Sequence, residues 1–124
     1  MEKKNMKNIL IVEDDPDMQE IYKDLIKNGY KIITTKTAAE ALKHLKKKHI
    51  DLMILDIVLP KKSGDIFFKE IKENPKLRKT KVIVVTVLGD VSDYFQSIDA
   101  STICISKPFD KDRLLQAIYK RIND

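Results

Sequence analysis

The chain has 124 residues, 43% hydrophobic and 35% charged, with 24 Lys and Arg against 19 Asp and Glu for a net charge of +5. That length suits one domain, spanning residues 1–124, which buries roughly two thirds of the unfolded chain's surface. Three Gly, four Pro and the single Cys104 argue against linkers and low-complexity sequence, and one cysteine excludes an internal disulfide, which fits a reducing compartment. The longest apolar runs, four or five residues, fall far short of the ~20 needed to span a bilayer, and residues 1–8 carry no apolar stretch for a signal peptide. The expectation is a cytoplasmic protein with no membrane partner, and with residues 1–6 as a flexible tail.

Ile9 to Val12 is a short apolar run that ends in Glu13-Asp14-Asp15-Pro16. Asp15 can cap a helix with Pro16 at its first position. Met18, Ile21, Tyr22, Leu25 and Ile26 repeat at helical spacing behind it, and Gly29 stops the helix. Lys31 to Thr35 reads as a strand with four β-branched residues at its end. Thr37 caps the next helix, through Ala38, Ala41, Leu42 and Leu45, with Glu40 three residues on as in a capping box.

Leu52 to Leu55 runs unbroken into Asp56, the pattern of a strand buried on both faces, and Pro60 and Gly64 turn the chain at once. Ser63-Gly64 opens a helix carrying Ile66, Phe67 and Ile71, which Asn74-Pro75 ends. Val82 to Val85 is a further buried run that stops at Thr86, and a short, weakly patterned helix covers Val91 to Ile98. Ile103 to Ile105 runs into Ser106-Lys107-Pro108, and Asp110 caps a last helix with Leu114, Leu115, Ile118 and Ile122 inward. Strand and helix alternate five times, which predicts an α/β, doubly wound domain with a parallel sheet and helices on both faces.

Two basic runs, Lys43 to His49 and Lys76 to Lys81, carry much of the positive charge. No aromatic residue interleaves them, so they read as solvated helix ends, with Lys complementing the helix dipole, and no nucleic-acid partner is expected. Cys104 reads as a small buried hydrophobe.

In an open parallel sheet, ligands bind at the carboxyl ends of the strands. Those ends carry Glu13, Asp14, Asp56, Thr86 and Lys107. Crowded carboxylates call for a cation, and their oxygens suit a hard ion such as Mg²⁺. A lysine can balance the charge and meet a phosphoryl oxygen, and a threonine hydroxyl can add a neutral donor. An aspartate beside a metal and a lysine is a candidate nucleophile toward phosphorus.

The motifs Ile-Val-Glu13-Asp14-Asp15, Asp56-Ile-Val-Leu-Pro60 with Gly64, Val-Val-Thr86 and Lys107-Pro108-Phe109 together resemble the receiver domain of two-component response regulators. Each is weak alone; the four in this order, over about residues 7–122, are specific. The resemblance implies a five-stranded sheet in the flavodoxin-like order 2-1-3-4-5. It implies that Asp56 accepts a phosphoryl group from a phosphohistidine on a histidine kinase or phosphotransfer protein, acting as a switch or in a phosphorelay. It implies Mg²⁺ held by Glu13 (through water), Asp14, Asp56 and the backbone carbonyl of Val58, with Thr86 and Lys107 on the phosphoryl oxygens. No activity is expected beyond the protein's own phosphorylation and dephosphorylation. Output would pass to a downstream protein through the face of the fourth helix, fifth strand and fifth helix. In the family, the side chains two residues past the phosphoacceptor and two past the threonine flank the path of hydrolytic water; here they are Val58 and Leu88.

The sequence departs from the family where an aromatic residue usually stands three before the lysine, a position held here by Cys104, and where a Gly-Ala pair reads Ala100-Ser101. The stretch from Thr86 to Lys107 is also about one residue short, which predicts a short or shifted fourth helix. The competing function is a pseudo-receiver, a protein-binding module that is never phosphorylated; the acidic pair, Asp56, Thr86 and Lys107 argue against it. A phosphatase with an aspartyl intermediate would want a second acid at Val58, and a nucleotide-binding enzyme would want a glycine-rich loop where Glu13 to Pro16 stands.

Overall fold

The apolar run Leu52–Leu55 forms the middle strand of the sheet, and none of its four residues is more than 1% exposed. The computed structural model describes residues 6–124, so the tail expected over residues 1–6 lies, apart from Met6, outside the described residues. The strands are β1 (Lys7–Val12), β2 (Tyr30–Thr35), β3 (Leu52–Leu55), β4 (Val82–Thr86) and β5 (Ile103–Ser106). The helices between and after them are α1 (Pro16–Ile26), α2 (Ala38–Lys47), α3 (Gly64–Glu73), α4 (Ser92–Ile98) and α5 (Lys111–Ile122). All four strand pairings are parallel, in the order β2-β1-β3-β4-β5.

The unbroken apolar runs follow from the two-sided core. Successive strand side chains point to opposite faces. Leu10, Val12, Met53, Leu55, Val82 and Val84 therefore join the cluster under α2 and α3. Ile9, Ile11, Leu52, Ile54, Ile83 and Val85 join the cluster under α1 and α5. Edge strands β2 and β5 are only partly covered and keep polar residues.

Helix starts follow local capping chemistry. The Asp15 carboxylate accepts from the Asp17 N–H at 3.0 Å, and the Asp110 carboxylate accepts from the Arg113 N–H at 3.3 Å. Thr37 Oγ1 accepts from the Glu40 N–H at 3.2 Å, but Glu40 Oε1 reaches past the cap residue to the Lys36 N–H at 2.7 Å. Helix α1 ends at Ile26, three residues before Gly29. Gly29, at φ +94°, instead shapes the turn into β2, in a region that favours glycine.

Two helical apolar residues face outward. Ile21 is 46% exposed because the buried stripe of α1 is rotated toward Gln19, Tyr22 and Ile26. Ile66 is 53% exposed, while Phe67, Phe68 and Ile71 line the inner face of α3. Phe68 meets Phe95 edge-on, with centroids 4.9 Å apart, and so joins α3 to α4. At seven residues, α4 is the shortest helix, in keeping with the shortened segment after Thr86.

The far end of α4 is held by charge. Lys72 Nζ lies 2.8 Å from Asp99 Oδ2 and Arg121 Nη2 lies 3.5 Å from the same oxygen, so one carboxylate joins α3, the end of α4 and α5. Burial pushes the Asp99 pKa up, but the Lys72 hydrogen bond, the Ser101 N–H and the Lys72 and Arg121 charges outweigh it and hold it below 3.8. Lys72 and Arg121 are nearly buried, so removing their shared partner leaves Lys72 with two backbone carbonyls and no carboxylate, and Arg121 with Asp124 alone. Asp99→Ala should cost about 2–3 kcal/mol by urea denaturation at pH 7. A carboxylate with a lowered folded pKa contributes stability above its unfolded pKa and loses it as pH falls through the folded value. Wild type and variant should therefore converge in stability as the pH drops below 3.8; a constant gap at all pH would show that the loss is one of packing.

Candidate functional site

Parallel strands bring their carboxyl ends to one edge, and backbone hydrogen bonds lock those ends in register. The Asp56 N–H donates to Val12 O at 3.1 Å, the Glu13 N–H to Thr35 O at 2.9 Å and the Lys107 N–H to Thr86 O at 2.8 Å. Glu13 thus follows β1, Asp56 follows β3, Thr86 closes β4 and Lys107 follows β5.

Lys107 Nζ donates to Glu13 Oε1 at 2.5 Å and to Asp56 Oδ2 at 3.2 Å. One carboxylate oxygen from each of Glu13, Asp14 and Asp56 lies within 4.8 Å of the others, an arrangement that could hold a metal ion. Glu13 is 2% and Asp56 6% exposed, while Asp14 stands open to solvent. One ammonium facing three carboxylates leaves negative charge over, which a divalent cation would neutralise.

Burial raises the Glu13 pKa above 4.5, against the opposing effects of the Lys107 hydrogen bond and the Asp15 N–H. Burial alone would lower the Lys107 pKa, but the Glu13 hydrogen bond and the charges of Asp56 and Glu13 lift it above 10.5. The ammonium therefore stays charged at neutral pH.

Glu13, Asp14, Asp56 and Lys107 form one cluster. Thr86 is 1% exposed at the neighbouring strand end, where its Oγ1 accepts from the Leu88 N–H at 3.3 Å. That bond uses a lone pair and leaves the hydroxyl proton free to donate. Val58 sits two residues past Asp56 and donates its N–H to Asp56 Oδ1 at 3.3 Å. The rim is apolar: Val58, Val87 and Leu88 are 53%, 65% and 55% exposed.

Three residues given no site role by sequence hold the cluster in place. Gln19, on α1, is buried, and its Nε2 donates to Glu13 O at 2.6 Å and Thr35 O at 3.3 Å, which fixes the loop after β1. Thr35 Oγ1 donates to Ile11 O at 2.9 Å. The available signal was a glutamine beside an apolar helical stripe, since a buried amide must find partners.

The third is Gly64, whose N–H donates to Ile57 O at 2.7 Å. A Cβ on Gly64 would lie 2.1 Å from Asp56 O and 2.7 Å from Ile57 Cα, both backbone atoms. Gly64→Ala should therefore displace the Asp56 loop and cost about 2–3 kcal/mol in chemical denaturation; unchanged stability would mean that the loop yields freely.

Below the cluster, Tyr22 is buried and stacks on Phe109 with centroids 5.7 Å apart. Its hydroxyl pKa is raised by burial and by the charges of Glu13 and Asp56. Cys104 is half-buried rather than fully buried, on the edge strand β5, and burial raises its thiol pKa. Phe95 is buried in the core, while Tyr94 stays 46% exposed and meets Phe95 edge-on.

The family model of the response regulator receiver domain matches residues 9–119. The chain belongs to that family. Receivers of this family are the response domains of two-component signalling, and the acidic cluster around Asp56 fits their phosphorylation site. This receiver is 35% identical over 118 residues to the chemotaxis protein CheY of Bacillus subtilis, covering 93% of this chain and 97% of that one. A CheY-like receiver domain from Methanospirillum hungatei JF-1 superposes with a TM-score of 0.84 at 28% identity, covering 96% of this chain and 95% of that one. The receiver domain of the sensor histidine kinase PA1611 from Pseudomonas aeruginosa PAO1 shares the fold, with a TM-score of 0.84 at 21% identity over 96% of this chain and 99% of that one. That domain has a magnesium ion coordinated in its active site cleft. No helix among the described residues of this receiver is long and apolar enough to cross a membrane.

Proposed function

We propose that this receiver takes a phosphoryl group on Asp56 from a phosphohistidine of a histidine kinase or phosphotransfer protein. The observation that carries the reading is Lys107 Nζ held between Glu13 Oε1 and Asp56 Oδ2 at the mouth of the three-carboxylate cluster. An Asp56 carboxylate oxygen attacks phosphorus, the P–N bond to the imidazole breaks with its electron pair leaving on nitrogen, and an acyl phosphate forms. Lys107 and the Thr86 hydroxyl meet the phosphoryl oxygens, and positioning supplies most of the rate. Glu13, Asp14, Asp56 and the Val58 carbonyl would hold Mg²⁺, which would supply charge neutralisation when bound.

Phosphorylation then biases two arrangements of the α4, β5 and α5 face, which passes the signal to a downstream protein in the cytoplasm. The chain catalyses only its own phosphorylation and dephosphorylation. Incubation with a small acyl or amido phosphodonor and Mg²⁺, followed by intact mass, tests this: gain of one phosphoryl group supports it, and no gain under any donor favours a pseudo-receiver.

Mg²⁺ alone should stabilise the fold, because crowded carboxylates repel until a cation joins them. Linkage gives about 2.7 kcal/mol at a hundredfold excess over the dissociation constant. A melting temperature unmoved by saturating Mg²⁺ would count decisively against the metal site.

A further inference from the structure

The amino ends of β4 and β5 open onto a depression of about 550 Å³, on the edge of the sheet opposite Asp56. Lys72, Arg78, Lys79, Lys81 and Arg121 line it, with Asp99 as the one acidic side chain in the lining. We propose that this depression binds a chain of consecutive phosphoryl groups, either inorganic polyphosphate or the polyphosphate of a nucleotide.

The charge is unbalanced and the site is prebuilt. Five cations line the depression, and among the described residues only two side-chain carboxylates, Asp99 and Asp124, pair with any of them. Arg121 is 4% exposed and held by Asp99 and Asp124, so it adds a fixed positive charge to the lining. Guanidinium groups match phosphoryl oxygens in a fork geometry.

The remaining cations are carried on an ordered frame. Lys72 Nζ donates to Arg78 O at 3.1 Å and Thr80 O at 2.6 Å, and Leu77 anchors the same loop in the core. Lys81 Nζ donates to Ile122 O and Asp124 O, each at 3.1 Å. An anion arriving there would not have to order the loop, which is a main cost of binding.

Arg78 and Lys79 are exposed and pair with no carboxylate among the described residues, so they are the cations most free to engage a ligand. The volume is that of a small-molecule site. No aromatic side chain lines it to stack a base, which favours the phosphate chain over single-stranded nucleic acid.

The test is calorimetric titration of the full chain, in buffer free of divalent ions, with tripolyphosphate, ATP and orthophosphate. Tripolyphosphate should bind at least tenfold more tightly than orthophosphate. Arg78→Ser with Lys79→Ser, both on the surface, should weaken it at least tenfold and leave Asp56 phosphorylation unchanged, which separates this site from the proposed phosphoacceptor. Lys46→Ser with Lys47→Ser removes the same charge from α2 outside the depression and should change binding less than twofold. ATP binding tighter than tripolyphosphate would identify a nucleotide as the source, and equal or weaker binding an inorganic chain. Orthophosphate binding as well as tripolyphosphate, an equal loss in the α2 variant, or an oligonucleotide that outcompetes tripolyphosphate at Arg78 and Lys79 would each overturn the proposal.

Discussion

Asp56→Asn should gain no mass with any phosphodonor, while the wild type gains one phosphoryl group. The substitution keeps the shape of the side chain and a carbonyl oxygen for Lys107, so folding should survive, as circular dichroism would confirm. It removes the nucleophile: an amide oxygen is not a competent attacking group toward phosphorus, and no other carboxylate stands as it does. Lys107 holds Glu13 at 2.5 Å, more closely than Asp56 at 3.2 Å, and Asp14 is exposed. Thr86 lies nearby, but a hydroxyl would need a base to lose its proton. The effect is therefore complete loss rather than a slowed rate. Phosphate recovered on a Ser, Thr or His, or a retained mass gain in the variant, would overturn the assignment of Asp56.

The phosphoryl group, once formed, should persist far beyond seconds, and Val58→Asn with Leu88→Glu should shorten its life on the order of 10²-fold. Hydrolysis needs a water in line with the bond between phosphorus and the Asp56 oxygen. Val58 and Leu88, two residues past Asp56 and Thr86, hold the positions that the family resemblance assigns to the flanks of that approach, and both, like the neighbouring Val87, are half-exposed apolar side chains. None has a side-chain group that can hydrogen-bond a water, so the water arrives without orientation or a base. Positioned general-base help is worth ~10²–10⁴-fold where present, and the double variant supplies two polar side chains. Following phosphate release after the donor is removed reads both effects. Loss within seconds in the wild type, or an unchanged rate in the double variant, would mean that another feature controls the lifetime.

The strand runs were legible because each strand between two helical layers must be apolar on both faces, and Leu52–Leu55 and Val82–Val85 are. The caps at Asp15, Thr37 and Asp110 were legible because capping is local chemistry among residues two or three apart. The inward faces of helices were less so. Ile21 and Ile66 fit the helical period, yet they face outward, because burial depends on where the sheet lies rather than on spacing alone.

Sequence by itself determined the alternating α/β pattern, and with the family motifs it determined the strand order and singled out the residues at the strand ends. Only the tertiary structure decided which of them touch: Lys107 spans 94 residues to reach Glu13 and 51 to reach Asp56. It also decided that Gln19 holds the Glu13 loop, that Gly64 must lack a side chain because Asp56 O occupies the space, and that Asp99 joins Lys72 to Arg121. Periodicity and capping are set by near neighbours, whereas these contacts arise only when distant segments are brought to the same place, and no spacing in the chain encodes them.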